Sequence, residues 1–119
     1  MHLLIVDDSS VIRGLIRSIV GGIADEIVDC NDGAHARAAY IRHRPDFVLM
    51  DIDMKELDGL AATREIRAFD PGAKIFIVTN YDAGDLKEAA YRAGAVGYVL
   101  KDNLLELPAI LQNAFLAKD

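Results

Sequence analysis

A single cysteine, Cys30, stands among the 119 residues, so no internal disulfide can form and a reducing compartment is the natural setting. Proline is scarce as well, with 3 residues, and there is no Ser- or Gln-rich tract. With 52% apolar and 27% charged residues, that excludes a disordered tail and describes a compact folded chain. Basic residues are the minority, 13 against 19 acids for a net charge of −6, and they form no cluster. Phosphate neutralisation needs a basic stripe, so a direct nucleic-acid surface is excluded. Long hydrophobic runs are missing too: stretches such as Ile75 to Val78 fall far short of the roughly 20 residues that span a bilayer. The opening segment reaches Asp7 and Asp8 without a basic region or a long apolar run, unlike a signal peptide. The expectation is one soluble cytoplasmic domain over residues 1–119, with no membrane contact.

Short apolar runs mark five strands: Leu3 to Val6, Ile27-Val28, Phe47 to Met50, Ile75 to Val78, and Tyr98 to Leu100. Most are continuous rather than alternating, which suits parallel strands buried on both faces. Helical spacing fills the gaps. Ile12, Ile16, Ile19 and Val20 follow a cap at Ser9 or Ser10 and stop at Gly21-Gly22. Ala34 to His43 forms a second helix closed by Pro45, and Asp58 caps a third in which Leu60, Thr63, Ile66 and Arg67 share a face. A fourth runs from about Ala83 to Ala93, and a fifth from roughly Leu104 to Lys118, with Pro108 blurring its start. Alternating strands and helices predict an α/β fold: a single flavodoxin-like (βα)5 domain with a parallel sheet of order 2-1-3-4-5 and helices on both faces.

In such a sheet, ligands bind beyond the carboxyl ends of the strands, near the point where strand order reverses. The first strand ends in Asp7-Asp8, the third in Asp51, the fourth in Thr79 and the fifth in Lys101. Each carboxylate pair a few ångströms apart costs several kcal/mol, roughly 4 at 4 Å and an effective dielectric of 20. One lysine does not offset three acids, whereas a hard divalent cation such as Mg²⁺ does, with room left for water and a phosphoryl oxygen. Cation, hydroxyl and ammonium together can neutralise three equatorial phosphoryl oxygens while an aspartate attacks in line.

These stretches, together with Pro45 to Met54, Leu57-Asp58-Gly59, Ile77-Val78-Thr79 and Ala93 to Asp102, resemble the receiver domains of two-component response regulators, the CheY-like fold. The last stretch most resembles the NarL/FixJ group. The resemblance covers essentially the whole chain. It implies that Asp51 accepts a phosphoryl group, that Asp8 and Asp51 ligate Mg²⁺ with Mn²⁺ able to stand in, that Asp53 adds its backbone carbonyl, and that Asp7 acts through a metal-bound water. Thr79 and Lys101 would each contact a phosphoryl oxygen, and Tyr98 falls where the family keeps a switch aromatic. Asp53 and Tyr81 would flank the path of attacking water. Lys55, where Pro is usual, and Asn80, where Ala or Gly is usual, depart from the pattern and point to a more mobile loop and a narrower opening.

Several residues admit a plainer reading. Alone, Asp7-Asp8 are ordinary helix N-terminal acids, Tyr98 is a packing residue, and Cys30 is a small buried strand residue. His2, His35 and His43 show no metal spacing and no acid partner. Val11 and Leu15 lie beside the first helix's core stripe and either broaden the core or, as the resemblance implies, dock a sensor histidine kinase or histidine phosphotransfer protein. Leu104, Leu105 and Leu116 exceed what one helix face needs. The fourth helix, apolar mainly through Leu86 and alanines, buries little area and is the one most easily shifted.

The resemblance implies a signalling protein rather than an enzyme, its chemistry limited to its own phosphorylation and dephosphorylation. With no output domain in these residues, the effect is expected to pass to a downstream effector protein, from a monomer or a weak phosphorylation-dependent dimer. In relatives, such a domain precedes a DNA-binding module. Two alternatives remain: a phosphorylation-independent binding module of the same fold, and a haloacid-dehalogenase-like phosphatase, whose Asp-x-Asp opening Asp51-Ile52-Asp53 imitates by placing both carboxylates on one side. Flavin binding is disfavoured by the acidic loop after the first strand.

Overall fold

The computed structural model describes residues 1–117. Five strands, β1 (His2–Val6), β2 (Glu26–Cys30), β3 (Phe47–Met50), β4 (Ile75–Thr79) and β5 (Gly97–Leu100), alternate with α1 (Ser10–Val20), α2 (Ala36–His43), α3 (Gly59–Phe69), α4 (Gly84–Ala93) and α5 (Leu107–Leu116). All neighbouring strands are parallel and the order is β2-β1-β3-β4-β5, the flavodoxin-like arrangement expected from the sequence. Among the described residues, no helix is long and apolar enough to cross a membrane.

Successive strand side chains point to opposite faces, so each continuous apolar run feeds two cores at once. Leu4, Val6, Val48, Met50, Ile75 and Ile77 pack under α2, α3 and α4. Leu3, Ile5, Phe47, Leu49, Phe76 and Val78 pack against Ile16 and Val20 of α1 and Leu107 and Leu111 of α5. The Phe47 ring meets Phe76 edge-on at 5.7 Å, fixing the centre of that second layer. The two-sided burial pins register, because a one-residue slip would exchange the two cores.

Caps set most helix boundaries. The Ser9 hydroxyl accepts from the Ile12 N–H at 3.3 Å, and the Asp58 carboxylate from Ala61 at 2.9 Å, each satisfying a first-turn donor. Gly94 ends α4 at φ +109, where a Cβ would also press 2.8 Å from the Arg67 side chain.

Two boundaries differ from expectation. The second helix begins at Ala36 rather than Ala34, because the Asp32 carboxylate takes the His35 N–H at 2.8 Å and holds that turn outside the helix. The same carboxylate lies 2.8 Å from the His35 ring Nδ1, so His35 does have an acid partner, and His2 sits 3.9 Å from Glu26. At the other end, Lys101–Glu106 form a 3₁₀ turn, kinked at Asn103, before α5 starts at Leu107. Leu104 and Leu107 are both buried, three residues apart, which matches the 3₁₀ period. Pro108 sits in the first turn of α5, where its missing N–H costs nothing. Leu104 is therefore core rather than surplus, whereas Leu105 and Leu116 are exposed. Lys118, the expected end of the last helix, lies outside the described residues.

Candidate functional site

Buried polar residues identify the site. Among the described residues only Asp7, Asp51, Thr63 and Thr79 are buried and polar or charged. Thr63 is explained locally, since its hydroxyl donates to the Gly59 carbonyl one turn back at 2.7 Å. The other three end β1, β3 and β4, at the carboxyl edge on either side of the point where strand order reverses. Burying charge is unfavourable unless it is paired, so this concentration at one edge points to chemistry rather than packing.

The ladder itself carries these side chains into place. The Asp7 N–H donates to Cys30 at 3.1 Å and the Asp51 N–H to Val6 at 2.9 Å, extending the sheet pairing just past the strands. The Asp7 carboxylate accepts from the Ser9 N–H at 2.9 Å through Oδ1, and its Oδ2 lies 3.1 Å from the Lys101 ammonium. That ammonium also reaches Asp51 Oδ1 at 3.2 Å. One carboxylate oxygen each from Asp7, Asp8 and Asp51 fall within 4.8 Å of one another, with Asp8 on the solvent side. Thr79 stands at the end of β4, its hydroxyl accepting from the Tyr81 N–H at 3.3 Å.

Electrostatics match the geometry. Burial pushes the Asp51 carboxyl up, the Asp7 charge pushes it further, and Lys101 offsets only part, leaving it at about 6 against an ordinary 3.8. Burial pulls the Lys101 ammonium down, but the hydrogen bond to Asp7 and the charges of Asp51 and Asp7 outweigh it and hold the amine above its ordinary range. A single fixed cation thus leaves the cluster short of positive charge. Three hard oxygen donors open to solvent on the Asp8 side are a set that suits Mg²⁺ or Mn²⁺.

Asp53 stands apart. β3 ends at Met50, so the Asp51 to Asp53 stretch is not strand, and the alternation that would place both carboxylates on one side does not apply. Asp51 is 4% exposed. Asp53 is exposed and accepts from the Tyr81 hydroxyl at 3.1 Å. The strand geometry on which the dehalogenase-like alternative rested is therefore absent at these two residues. Tyr98 donates its hydroxyl to the Tyr81 main-chain carbonyl at 2.6 Å, so β5, the β4–α4 loop and Asp53 are linked in series. Lys55 and Asn80 are exposed, and Glu56, next to Lys55, adopts φ +65 in the turn after Asp51. Val11 is 77% and Leu15 46% exposed, so neither broadens the core.

Gly59 is a residue whose task no spacing rule reveals. A Cβ there would fall 1.9 Å from the Asp51 carbonyl oxygen and 2.9 Å from the Ile52 Cα, both main-chain atoms. Its N–H donates to the Ile52 carbonyl at 2.9 Å. The start of α3 thus lies directly on the acceptor loop, and only a side chain of no size fits. The Leu57-Asp58-Gly59 stretch after an apolar strand was the available signal. Cys30, by contrast, donates its thiol to the Asp32 carbonyl at 3.2 Å, and burial raises its pKa, as for an inert core thiol. A groove of about 500 Å³ between β2 and α2 is lined by Arg13, Cys30, His35 and Arg42, with none of the clustered acids in its wall.

An open parallel sheet with acids, a hydroxyl and an ammonium at its carboxyl edge defines a doubly wound α/β domain built around an acidic cation-type site. The response regulator receiver domain model matches residues 3–112, and the chain belongs to that family. It is 38% identical over 100 residues to the chemotaxis protein CheY of Halobacterium salinarum, covering 84% of this chain and 83% of that protein. CheY of Bacillus subtilis is 36% identical over 110 residues, covering 88% and 92%. A LuxR-family two-component response regulator from Aurantimonas superposes with a TM-score of 0.90 at 29% identity, over 98% of this chain and 86% of that one. Proteins of this family are signalling proteins.

Proposed function

We propose that Asp51 accepts a phosphoryl group from a phosphohistidine on a sensor histidine kinase or a histidine phosphotransfer protein, and that the resulting acyl phosphate is read by a downstream effector protein. The observation that carries this reading is the placement of one oxygen each from Asp7, Asp8 and Asp51 within 4.8 Å, with Lys101 bridging two of the acids at 3.1 and 3.2 Å. In the reaction, an Asp51 carboxylate oxygen bonds to phosphorus as the P–N bond breaks, and the imidazole leaves with the electron pair and takes up a proton. Asp8, Asp51 and the Asp53 backbone carbonyl would hold Mg²⁺, with Asp7 behind a bound water. Once bound, the cation neutralises charge on the transferring group.

The chain's own residues do the rest. Lys101 stabilises one phosphoryl oxygen, and the Thr79 hydroxyl, which accepts from the Tyr81 N–H, turns to another. The hydrogen bond from Tyr98 to Tyr81 makes the β4–α4 loop the element through which that movement reaches β5 and α4. Exposed Val11 and Leu15 on α1 give the donor a docking surface beside the Asp7-Asp8 loop. The protein acts as a monomer or a weak phosphorylation-dependent dimer.

Intact-mass spectrometry after incubation with acetyl phosphate and Mg²⁺, beside an Asp51→Asn variant and a Mg²⁺-free sample, tests the reading. A phosphoryl adduct on the parent alone and only with Mg²⁺ is expected. Absence of the adduct, together with no beryllofluoride complex by fluorine NMR, would leave a phosphorylation-independent binding module.

A further inference from the structure

Asp8 poses a positioning problem. It is the exposed member of the acid cluster, and among the described residues its carboxylate has no hydrogen bond and no ion pair. Its direction is therefore set by the main chain alone, through the peptide that joins it to Asp7. Asp7 is held on every side but that one by groups already described: Cys30 takes its N–H, and Ser9 and Lys101 hold its carboxylate. The remaining atom, the Asp7 carbonyl oxygen in the plane of the Asp7–Asp8 peptide, accepts from Arg13 Nη1 at 2.6 Å.

Arg13 is on α1, one and a half turns after the acids, and its side chain is 17% exposed. Two facts show that it is aimed at the loop rather than at its ion partner. Its Nε lies 3.5 Å from Asp29 Oδ2, beyond a good hydrogen bond, and is the buried side-chain nitrogen left without a hydrogen bond among the described residues. The short contact to Asp29 is taken instead by Arg17, at 2.6 Å. A guanidinium serving Asp29 would turn its fork to the carboxylate; this one gives its closest bond to a main-chain carbonyl.

We propose that Arg13 is the positioning residue of the divalent-cation site, fixing the Asp7–Asp8 peptide so that the Asp8 carboxylate is delivered into ligand geometry. The inference rests on the Mg²⁺ reading above and adds what that reading lacks, a reason for Asp8 to be preorganised. Mg²⁺ demands near-ideal octahedral geometry, so freedom in one ligand appears directly as lost affinity. Groups that orient metal ligands typically contribute about 10- to 100-fold in affinity.

The test is calorimetric titration of Mg²⁺ into the EDTA-stripped full chain, in four forms: parent, Arg13→Met, Arg13→Lys and Arg17→Met. Arg13→Met should bind about 10- to 100-fold more weakly, Arg13→Lys should recover part of that loss, and Arg17→Met, which leaves the Asp7 carbonyl contact intact, should stay within about twofold. The acetyl phosphate reaction provides a second readout. In Arg13→Met the Mg²⁺ concentration for half-maximal rate should rise by the same factor, while the rate at saturating Mg²⁺ stays within about threefold, a split that general loosening would not produce. If Arg13→Met does not fold, amide exchange of Asp8 and Ser9 in Arg13→Lys without metal decides, with faster exchange than in the parent expected and unchanged exchange overturning the proposal. Parent-like affinity in Arg13→Met, or equal loss in Arg17→Met, overturns it as well. A parent that binds no Mg²⁺ removes the Mg²⁺ reading itself, and the inference with it.

Discussion

Replacing Asp51 by Asn should make the metal-free protein more stable at neutral pH. The carboxyl is 4% exposed, and its pKa is raised from 3.8 to about 6 by burial and by the Asp7 charge, against partial relief from Lys101. Between those two values the folded state holds a proton that the unfolded state has released, so stability falls as pH rises through that window and is flat above it. At about 1.4 kcal/mol per pH unit, the cost of ionised Asp51 reaches roughly 3 kcal/mol at pH 7.5. Asn carries no charge and fills the same volume, though Lys101 then keeps only Asp7 as a partner, so a gain of about 2 kcal/mol is expected. Urea unfolding in EDTA at a series of pH values measures it. With a slope of about 1–3 kcal/mol per molar, the midpoint at pH 7.5 should rise by about 1 M over the parent. The difference should close as pH falls towards 4, and subtraction removes the titration of groups that do not interact with Asp51. Added Mg²⁺ at about 100 times its dissociation constant should return roughly 2.7 kcal/mol to the parent and much less to the variant. A variant that is less stable than the parent at pH 7.5, or a difference that does not vary with pH, would refute the reasoning.

Three further outcomes follow from the geometry. Gly59→Ala, whose Cβ would meet the Asp51 carbonyl at 1.9 Å, should cost about 1–3 kcal/mol in urea unfolding and slow acyl phosphate formation, and a parent-like rate by mass spectrometry would show the loop yields freely. Tyr98→Phe removes the 2.6 Å bond to the Tyr81 carbonyl, so amide exchange in the β4–α4 loop should quicken by about fivefold, matching roughly 1 kcal/mol. Leu15→Asp, at a position 46% exposed, should leave stability within about 0.5 kcal/mol and the acetyl phosphate rate unchanged, yet slow transfer from a phosphohistidine donor about tenfold. Equal rates from both donors would place the docking surface elsewhere.

How much of this was legible in the sequence depended on where each signal was encoded. Strands followed from continuous apolar runs, since burial on both faces leaves a local mark, and their order from the alternation of strands with helices. The acids, Thr79 and Lys101 were legible because strand ends are countable, and counting places side chains at a common edge. The β2 edge was marked only by Ile27-Val28, because Asp29 within the strand turns out to the α1 arginines. The start of α5 was blurred by Pro108, which suits a first turn but does not say whether the turn before it is 3₁₀. Contacts between distant loops left no trace at all: Tyr81 and Asp53 lie 28 residues apart, and their hydrogen bond exists only once β3 and β4 are side by side. Bonds to main-chain oxygens, such as Arg13 to Asp7, are equally silent, because every residue type supplies the same acceptor.

The distance between the buried acid cluster and the exposed face of α1 has a consequence for a cell holding many similar domains. The atoms proposed to meet the phosphoryl group sit on strand ends and the first residues beyond them, held by ladder hydrogen bonds and by the tight fit of Gly59. The exposed apolar side chains Val11 and Leu15 are on α1, outside that lock. If these side chains dock the phosphoryl donor, as proposed, substituting them changes the address of the domain, while Arg13 on the buried side of the same helix must stay to keep the site in order. On the proposed reading, two copies that diverge only at those exposed positions would answer to different senders with the same chemistry, so wiring would be rewritten one surface residue at a time without passing through an inactive protein.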